Sequence, residues 1–243
     1  MAELLFYRQV AAIDKDKHRH LKVGTISDYR FARVTNSVPI AVVEFFEVAR
    51  EYPIVFAGKN GPTPLPAVLF GLKSDENLFV SESGEWQGRY IPAFIRRYPF
   101  VLADVGNEEL VVCMDESHPA VGDKDGQPLF TAEGGPTPFM ESVLKFMHDF
   151  QAEAQRSREF MQRMVDLDLL TEVSARAELK GGQSYQLGGF SVINEAKFRA
   201  LGKDVVDELF RKGWLSLIDA HLLSLGNLAP LIDRMAERGR KVA

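Results

Sequence analysis

The sequence predicts an α+β protein, with an antiparallel sheet and flanking helices in its first half and a helix-rich second half. In the first half, half a dozen short apolar stretches alternate with clusters of turn-forming residues, which is typical of short strands. After Thr137, apolar residues recur at the spacing of a helix. The pattern changes at TAEGGPT (131–137). We therefore expect a sheet-rich part, 1–136, and a helix-rich part, 137–243, packed together as one unit.

The first-half elements begin with a helix predicted over about 39–51. Ser37 can cap this helix, Pro39 suits its first turn, and apolar residues follow at helical spacing. Tyr52-Pro53 ends it, because a residue before proline is pushed out of the helical region. The stretch PIVFA (53–57) predicts a short buried strand.

Two hairpins are expected after this strand. Residues 65–72 and 77–81 form the first across KSDE, and residues 100–104 and 109–115 form the second across VGNE. Residues 116–137 are rich in Pro, Gly and acidic residues and predict a loop.

The second half opens with Thr137 as a cap and Pro138 in the first turn, which predict a long helix over about 138–168. Its polar middle, QAEAQRSRE (151–159), is expected to face water. Two strands are predicted next, one over 171–179 and, after a turn at Gly181-Gly182, a second over either 185–187 or 190–193. The remaining predicted elements are a short helix capped by Asn194, a helix over 204–212 ended by Gly213, and helices over 214–225 and 228–238.

Composition and charge are those of a globular protein, with 46% hydrophobic and 26% charged residues. The net charge of −5 provides no basic field for nucleic acid, so no nucleic-acid partner is expected. The single cysteine, Cys113, excludes an internal disulfide and lies in an apolar strand, which favours a buried packing role.

The N-terminus carries no pattern of a secretory signal, because Glu3, Arg8 and Gln9 interrupt its apolar residues. No run approaches the roughly 20 apolar residues of a membrane span. These features predict a cytoplasmic protein without a membrane span, which would need a signal-independent exporter to leave the cell.

Motifs for phosphate, dinucleotide or nucleophilic chemistry are absent from the sequence, so no cofactor and no catalytic residue are predicted. Three histidines are the metal or acid–base candidates. His18 and His20 would face the same side of a strand, although a solvated charged loop is the favoured interpretation. His118 follows a predicted strand beside Asp115 and is either a general base, a ligand or a loop residue. No metal site is predicted from them.

The stretch from Gly84 to Val101, GEWQGRYIPAFIRRYPFV, is the most distinctive part of the chain and is called the aromatic–arginine segment below. Pro92 interrupts its four-residue aromatic spacing, so we expect a turn and then a short helix that ends before Pro99. An arginine between aromatic rings can stack on a ring or bind a carboxylate through two hydrogen bonds. The alternative is that one arginine pairs with an acidic neighbour and the other is solvated. The candidate binding residues are Trp86, Tyr90, Arg96, Arg97 and Tyr98.

Four stretches together resemble the SapC family of bacterial proteins: YPIVFAG (52–58), GEWQGRYIPAFIRRYPF (84–100), QLGGFSVINEAKF (186–198) and LSLIDAHLLSLGNLAPLIDR (215–234). The family takes its name from a locus for a paracrystalline surface layer. The resemblance implies a bacterial source and an accessory role at the cell envelope or in peptide or nutrient handling. It implies no catalytic residues.

Three functions remain open from the sequence. The favoured one is a non-enzymatic accessory protein that recognises a peptide or protein partner through the aromatic–arginine segment. The others are an enzyme whose site is assembled from distant His, Asp and Glu residues, and a structural subunit of a surface layer. A homodimer could form through the apolar C-terminal helices, although the same stripe is favoured as intramolecular core: Trp214, Leu217, Ile218, Leu222 and Leu225.

Overall fold

The computed structural model of the chain describes residues 5–58, 63–104, 106, 110–178 and 184–242, without the side chains of 175–178, 184–187 and 239–242. Within these residues, the strands form three antiparallel sheets and the helices are concentrated after residue 137. The predicted α+β class is therefore confirmed.

The largest sheet has five strands, and its central strands carry the main core. Its order is β10-β11-β4-β5-β3, and every neighbouring pair is antiparallel. The strands are β3 (Ser37–Pro39), β4 (Ile54–Ala57), β5 (Leu65–Leu69), β10 (Leu170–Glu178) and β11 (Ser184–Ile193).

Two smaller sheets of three strands accompany it. One has the order β1-β7-β6, with β1 at Val10–Ala12, β6 at Phe100–Asp104 and β7 at Leu110–Asp115. The other has the order β8-β2-β9 and consists of two-residue strands: β2 (Lys22–Val23), β8 (Val121–Gly122) and β9 (Gln127–Pro128).

The helices cover these sheets. They are α1 (Phe45–Val48), α2 (Ala93–Arg96), α3 (Pro138–Asp166), α4 (Glu195–Arg199), α5 (Lys203–Arg211), α6 (Trp214–Ser224) and α7 (Leu228–Val242). Short 3₁₀ turns occur at Arg30–Val34, Val42–Glu44 and Leu225–Asn227.

Helix α3 contributes to two separate cores. Its first half packs into the smaller core with the three-stranded sheets, and its second half packs into the main core. The polar middle is mostly exposed, as predicted, except that Ser157 is buried and its hydroxyl accepts a hydrogen bond from the Val42 N–H at 2.9 Å. The core residues of the two halves are Met140, Val143 and Met147, and Phe160, Met161 and Met164.

The helix predicted over 39–51 is wrong in its first part. Ser37 and Pro39 lie in β3, which pairs with β5, and the α-helical residues are only Phe45–Val48. β3 is an edge strand, where the missing N–H of a proline is tolerated. Pairing with a strand distant in sequence therefore overrides the local helix signal.

The first predicted hairpin is also wrong in its second strand. Residues 77–81 form a turn with one isolated bridge between Val80 and Trp86. The buried Asn77 side chain accepts a hydrogen bond from the Phe79 N–H and donates one to the Ala32 carbonyl. Asparagine side chains that bond to nearby backbone in this way compete with strand pairing.

The loop predicted over 116–137 is wrong in part, because β8 and β9 lie within it and pair with β2 on either side. This pairing with a strand about 100 residues away in sequence overrides the local turn-forming composition. The remaining predicted elements agree with the structure. Strands β6 and β7 form the second hairpin, and β10 and β11 form the third; the turn predicted at Gly181-Gly182 lies outside the described residues. The Thr137 hydroxyl accepts from the Met140 N–H, the Asn194 side chain accepts from the Lys197 N–H, and Gly213 has φ +70°.

The apolar C-terminal stripe lies in the main core. Leu217 and Ile218 are buried in this core, and Trp214, Leu222 and Leu225 are partly buried and pack against it. The run Trp214–Arg238 has a mean hydropathy of 1.4 and, by length and composition alone, could cross a membrane. Core helices of globular proteins pass the same test, and 33% of the apolar window of this run is buried here.

Candidate functional site

The aromatic–arginine segment is fixed by a buried carboxylate, that of Glu44. One oxygen accepts hydrogen bonds from the Ala93 N–H at 2.7 Å and from the Tyr90 hydroxyl at 2.9 Å. The other accepts from the Ala41 N–H at 2.9 Å. Glu44 thus satisfies the first N–H of α2 and sets the position of Tyr90. Burial, and then the adjacent Glu44, raise the pKa of Tyr90 to about 12.

Trp86 points into the protein. Its indole N–H donates to the Tyr90 carbonyl at 3.1 Å and to the Tyr52 hydroxyl at 3.2 Å. Its ring meets Phe70 edge-on, with the ring centroids 5.3 Å apart. Gly88 is required here, because an added Cβ would lie 1.9 Å from the Tyr52 hydroxyl oxygen. Trp86 and Tyr90 therefore hold the segment in place.

Arg96 lies at the surface, on the outer side of α2. Its Nε donates to the Ile91 carbonyl at 2.8 Å, and one terminal nitrogen donates to the Tyr90 hydroxyl at 3.3 Å. Its guanidinium carbon is 5.5 Å from the Phe146 ring centroid. These contacts orient the guanidinium along the edge of the segment without a carboxylate partner among the described residues.

Arg97 is half-buried and has no anionic partner among the described residues. Its guanidinium carbon lies 4.1 Å from the Phe94 ring centroid and 4.9 Å from that of Phe150. Within the part of the chain that the structure describes, its Nε has no hydrogen-bond partner and no carboxylate forms an ion pair with it. Burial lowers the pKa of this guanidinium, and the neighbouring Tyr7 opposes the effect. The sequence alternative, a pairing with an acidic neighbour, does not apply to Arg97 within that part of the chain.

Arg97 lines a mostly apolar cavity of about 390 Å³, called the arginine cavity below. Ligand pockets in proteins usually have volumes of about 300–1,000 Å³, and most of their walls are apolar with a few polar groups. The lining residues that matter here are Thr25, Ile26, Arg96, Arg97, Tyr98, Phe139, Val143 and Phe146.

A second cavity of about 810 Å³, called the histidine cavity, adjoins the first. The two share Thr25, Ile26 and Tyr98. The walls of the histidine cavity are more polar and include Arg8, Asp28, Arg30, Ser117 and His118.

His118 is the titratable group of the second cavity. Its Nδ1 accepts a hydrogen bond from the Ala120 N–H at 3.1 Å, so the neutral ring carries its proton on Nε2. The ring lies edge-on to Tyr98, with centroids 4.9 Å apart. Burial lowers the pKa of His118, while Asp115 and Asp28 oppose the effect. The imidazole can therefore offer an N–H donor to a group in the cavity.

Asp115, beside His118 in the sequence, is buried and serves the fold. Its carboxylate accepts from the Ser117 hydroxyl at 2.7 Å, the Arg8 N–H at 2.9 Å, the Gln9 N–H at 3.1 Å and the Tyr98 hydroxyl at 3.0 Å. Burial raises its pKa, but the hydrogen bonds from Ser117, Arg8 and Gln9 outweigh burial and lower it to about 2. This carboxylate fixes Tyr98 between the two cavities.

The other histidine candidates are not brought together. Residues 15–20 form turns, not a strand, so His18 is buried whereas His20 is exposed. The His18 Nδ1 accepts from the Asp14 N–H at 2.9 Å, and its Nε2 pairs with Glu116 at 2.7 Å. The described residues contain no group of three or more His, Cys, Asp or Glu side chains that could hold a metal ion. Cys113 is buried in β7, and burial raises the pKa of its thiol.

The five predicted binding residues thus occupy different places. Arg96, Arg97 and Tyr98 line the arginine cavity, whereas Trp86 and Tyr90 line neither cavity. Sequence reasoning missed Thr25 and Ile26, because an isolated Thr-Ile pair carries no pattern of a site. Phe139 and Phe146 belong to the apolar residues that recur at helical spacing after Thr137, and that spacing cannot distinguish a cavity wall from core.

The comparisons with known proteins give one result. No curated protein and no solved structure matches the chain. The model of the family described as SapC matches residues 13–231, which is most of the chain and includes the whole aromatic–arginine segment. The chain therefore belongs to the SapC family.

Proposed function

We propose that this SapC protein is a non-enzymatic binding protein that recognises a peptide or protein partner at the arginine cavity. The observation that carries the proposal is Arg97, a half-buried guanidinium without a carboxylate partner among the described residues. The resemblance to the family implies the setting: an accessory role at the cell envelope, in surface-layer assembly or in peptide or nutrient uptake.

A partly desolvated cation that has an unsatisfied Nε–H and no carboxylate partner among the described residues is costly to keep, and a ligand anion would supply the missing acceptor. Hydrogen bonds between arginine and a carboxylate are stronger than neutral ones, and the two groups match in geometry. Phe94 and Phe150 hold the Arg97 guanidinium against their rings, so little conformational freedom remains to be lost on binding.

The apolar wall next to this cation indicates what the anion is attached to. Phe139, Val143 and Phe146 present hydrocarbon surface to the same cavity that Arg97 lines. A carboxylate joined to an apolar side chain satisfies both parts of the cavity. Arginine and aromatic residues are also those in which the binding energy of protein interfaces concentrates.

Selection from a displayed library of random peptides tests the proposal. The wild-type protein should enrich a peptide family, and Arg97→Gln should lose the enrichment while keeping its melting temperature. Arg158→Gln is the matched control, because Arg158 is exposed on α3 and its Nε bonds to Gln155. If the wild type enriches nothing, or if folded Arg97→Gln enriches the same peptides, the proposal is wrong.

A further inference from the structure

The segment Thr25–Asp28 is an unpaired continuation of a paired strand. β2 is hydrogen-bonded on both sides, to β8 and to β9, and this pairing ends with the Gly24 N–H, which donates to the Ala120 carbonyl at 2.7 Å. Beyond it, no hydrogen bond between described residues uses the backbone groups of Thr25 or Ser27. The Ile26 carbonyl accepts one from the Tyr29 hydroxyl at 3.3 Å.

The same segment is held in place despite its free backbone groups. Tyr29 fixes the C-terminal end of the segment, because the Tyr29 N–H donates a hydrogen bond to the Gly84 carbonyl at 2.7 Å. The side chains of Thr25 and Ser27 are exposed, and those of Ile26 and Asp28 are half-buried, which is the two-residue alternation of a strand. Ile26 packs against the main core. A fixed, half-buried segment with unused backbone groups can accept an additional strand.

The position of this segment places its free edge at the cavity of Arg97, which has no carboxylate partner among the described residues. Thr25 and Ile26 line both cavities, and Arg97 lines the one at the apolar end. A chain that follows the segment therefore extends from the arginine cavity into the histidine cavity. The polar walls of the histidine cavity, which include Arg8, Asp28 and His118, suit residues with polar side chains.

We infer that the ligand is the C-terminal end of a peptide chain, an inference that rests on the proposed function. The free α-carboxylate of the peptide bonds to Arg97, and its last, apolar side chain fills the arginine cavity. The preceding residues pair as an added strand with the backbone of Thr25 and Ser27 and lead towards the histidine cavity. A fatty acid would satisfy Arg97 and the apolar wall but would leave the backbone edge unpaired.

Fluorescence anisotropy with synthetic peptides tests this inference. The probe is a pool of labelled hexapeptides with five random residues and a C-terminal leucine, made as the free acid and as the amide. We expect the amide pool to bind about tenfold or more weakly to the wild type, because amidation removes a charge-assisted hydrogen bond. In Arg97→Gln the free acid should bind as weakly as the amide, whereas Arg158→Gln should behave like the wild type.

Two further probes examine the strand pairing. In the first, free-acid pools are methylated at one or the other set of alternate backbone nitrogens, and only one of the two sets should weaken binding. In the second, dodecanoate should compete poorly with the free-acid pool. Equal binding of acid and amide pools to the wild type would refute the C-terminal inference while the proposed function stands. Tight competition by dodecanoate, with no effect of N-methylation, would show a fatty-acid site instead. If neither pool binds, both the inference and the proposed function are wrong.

Discussion

The most quantitative prediction concerns His221, which lies fully buried in α6. Its Nε2 accepts a hydrogen bond from the Ile193 N–H at 3.1 Å, and its ring stacks on Phe56 with centroids 4.5 Å apart. Within the described residues its Nδ1 has no partner. Burial lowers the pKa of His221 to about 3, so the ring stays neutral in the folded protein at ordinary pH.

The lowered pKa makes the folded state sensitive to acid. The unfolded chain binds a proton at His221 below about pH 6.5, whereas the folded chain does so only near pH 3. The contribution of His221 to stability is therefore complete above pH 6.5 and is lost as the pH falls towards 3. Between pH 7.5 and 4.5 this loss amounts to roughly 2–3 kcal/mol in the free energy of unfolding.

Urea unfolding at pH 7.5 and pH 4.5 measures this loss. The free energy of unfolding should fall between pH 7.5 and pH 4.5 by roughly 2–3 kcal/mol less in His221→Gln than in the wild type. Glutamine keeps a hydrogen-bond acceptor at this position but does not titrate. The comparison is insensitive to the basal stability of the variant, because only the change with pH is read. If wild type and variant lose the same free energy, His221 does not titrate as the structure requires.

Three further changes should lower stability for separate reasons. Ser224→Ala removes the hydroxyl that accepts the Ile54 N–H at 2.9 Å, so the free energy of urea unfolding should fall by about 1–3 kcal/mol; an unchanged midpoint would contradict this. Gly88→Ala places a Cβ 1.9 Å from the Tyr52 hydroxyl oxygen and should cost about 1–3 kcal/mol, visible as a lower melting temperature. A melting temperature equal to that of the wild type would show that this contact is not tight. In the wild type, the pKa of Asp115 is about 2 in the folded state and higher in the unfolded state, so its contribution to stability is complete above about pH 4 and is lost as the pH falls towards 2. Asp115→Asn removes this contribution. The variant should be less stable at pH 7 by roughly 2 kcal/mol and should lose less free energy of unfolding between pH 5 and pH 2; parallel acid curves would refute this.

Elements whose signals are local were predicted well from the sequence. Thr137 and Pro138 mark the start of α3 because a cap and a first-turn proline act within one turn. Gly213 ends α5 because its left-handed φ suits glycine. The helix expected at Pro39 failed because β5, distant in sequence, supplies the pairing that makes residues 37–39 a strand.

The candidate site was predictable only in part. The sequence indicated Arg96 and Arg97, because arginines between aromatic residues are a compositional signal. It could not show that Arg97 has no carboxylate partner in the part of the chain that the structure describes, since pairing depends on distances between remote residues. Nor could it show that Thr25 lines the same cavity as Arg97. The inward position of Trp86 was also not predictable, because it depends on the close approach of Gly88 to Tyr52.

The central claim is that Arg97 holds the anionic end of a bound peptide. The most direct test is an ¹H–¹⁵N NMR titration of the arginine Nε–H signals, in which the Arg97 signal is assigned by its loss in Arg97→Gln. When the free-acid hexapeptide pool is added, the account predicts that the Arg97 signal shifts until the protein is saturated while that of Arg158 stays in place. A pool that binds and leaves the Arg97 signal unmoved would contradict the claim.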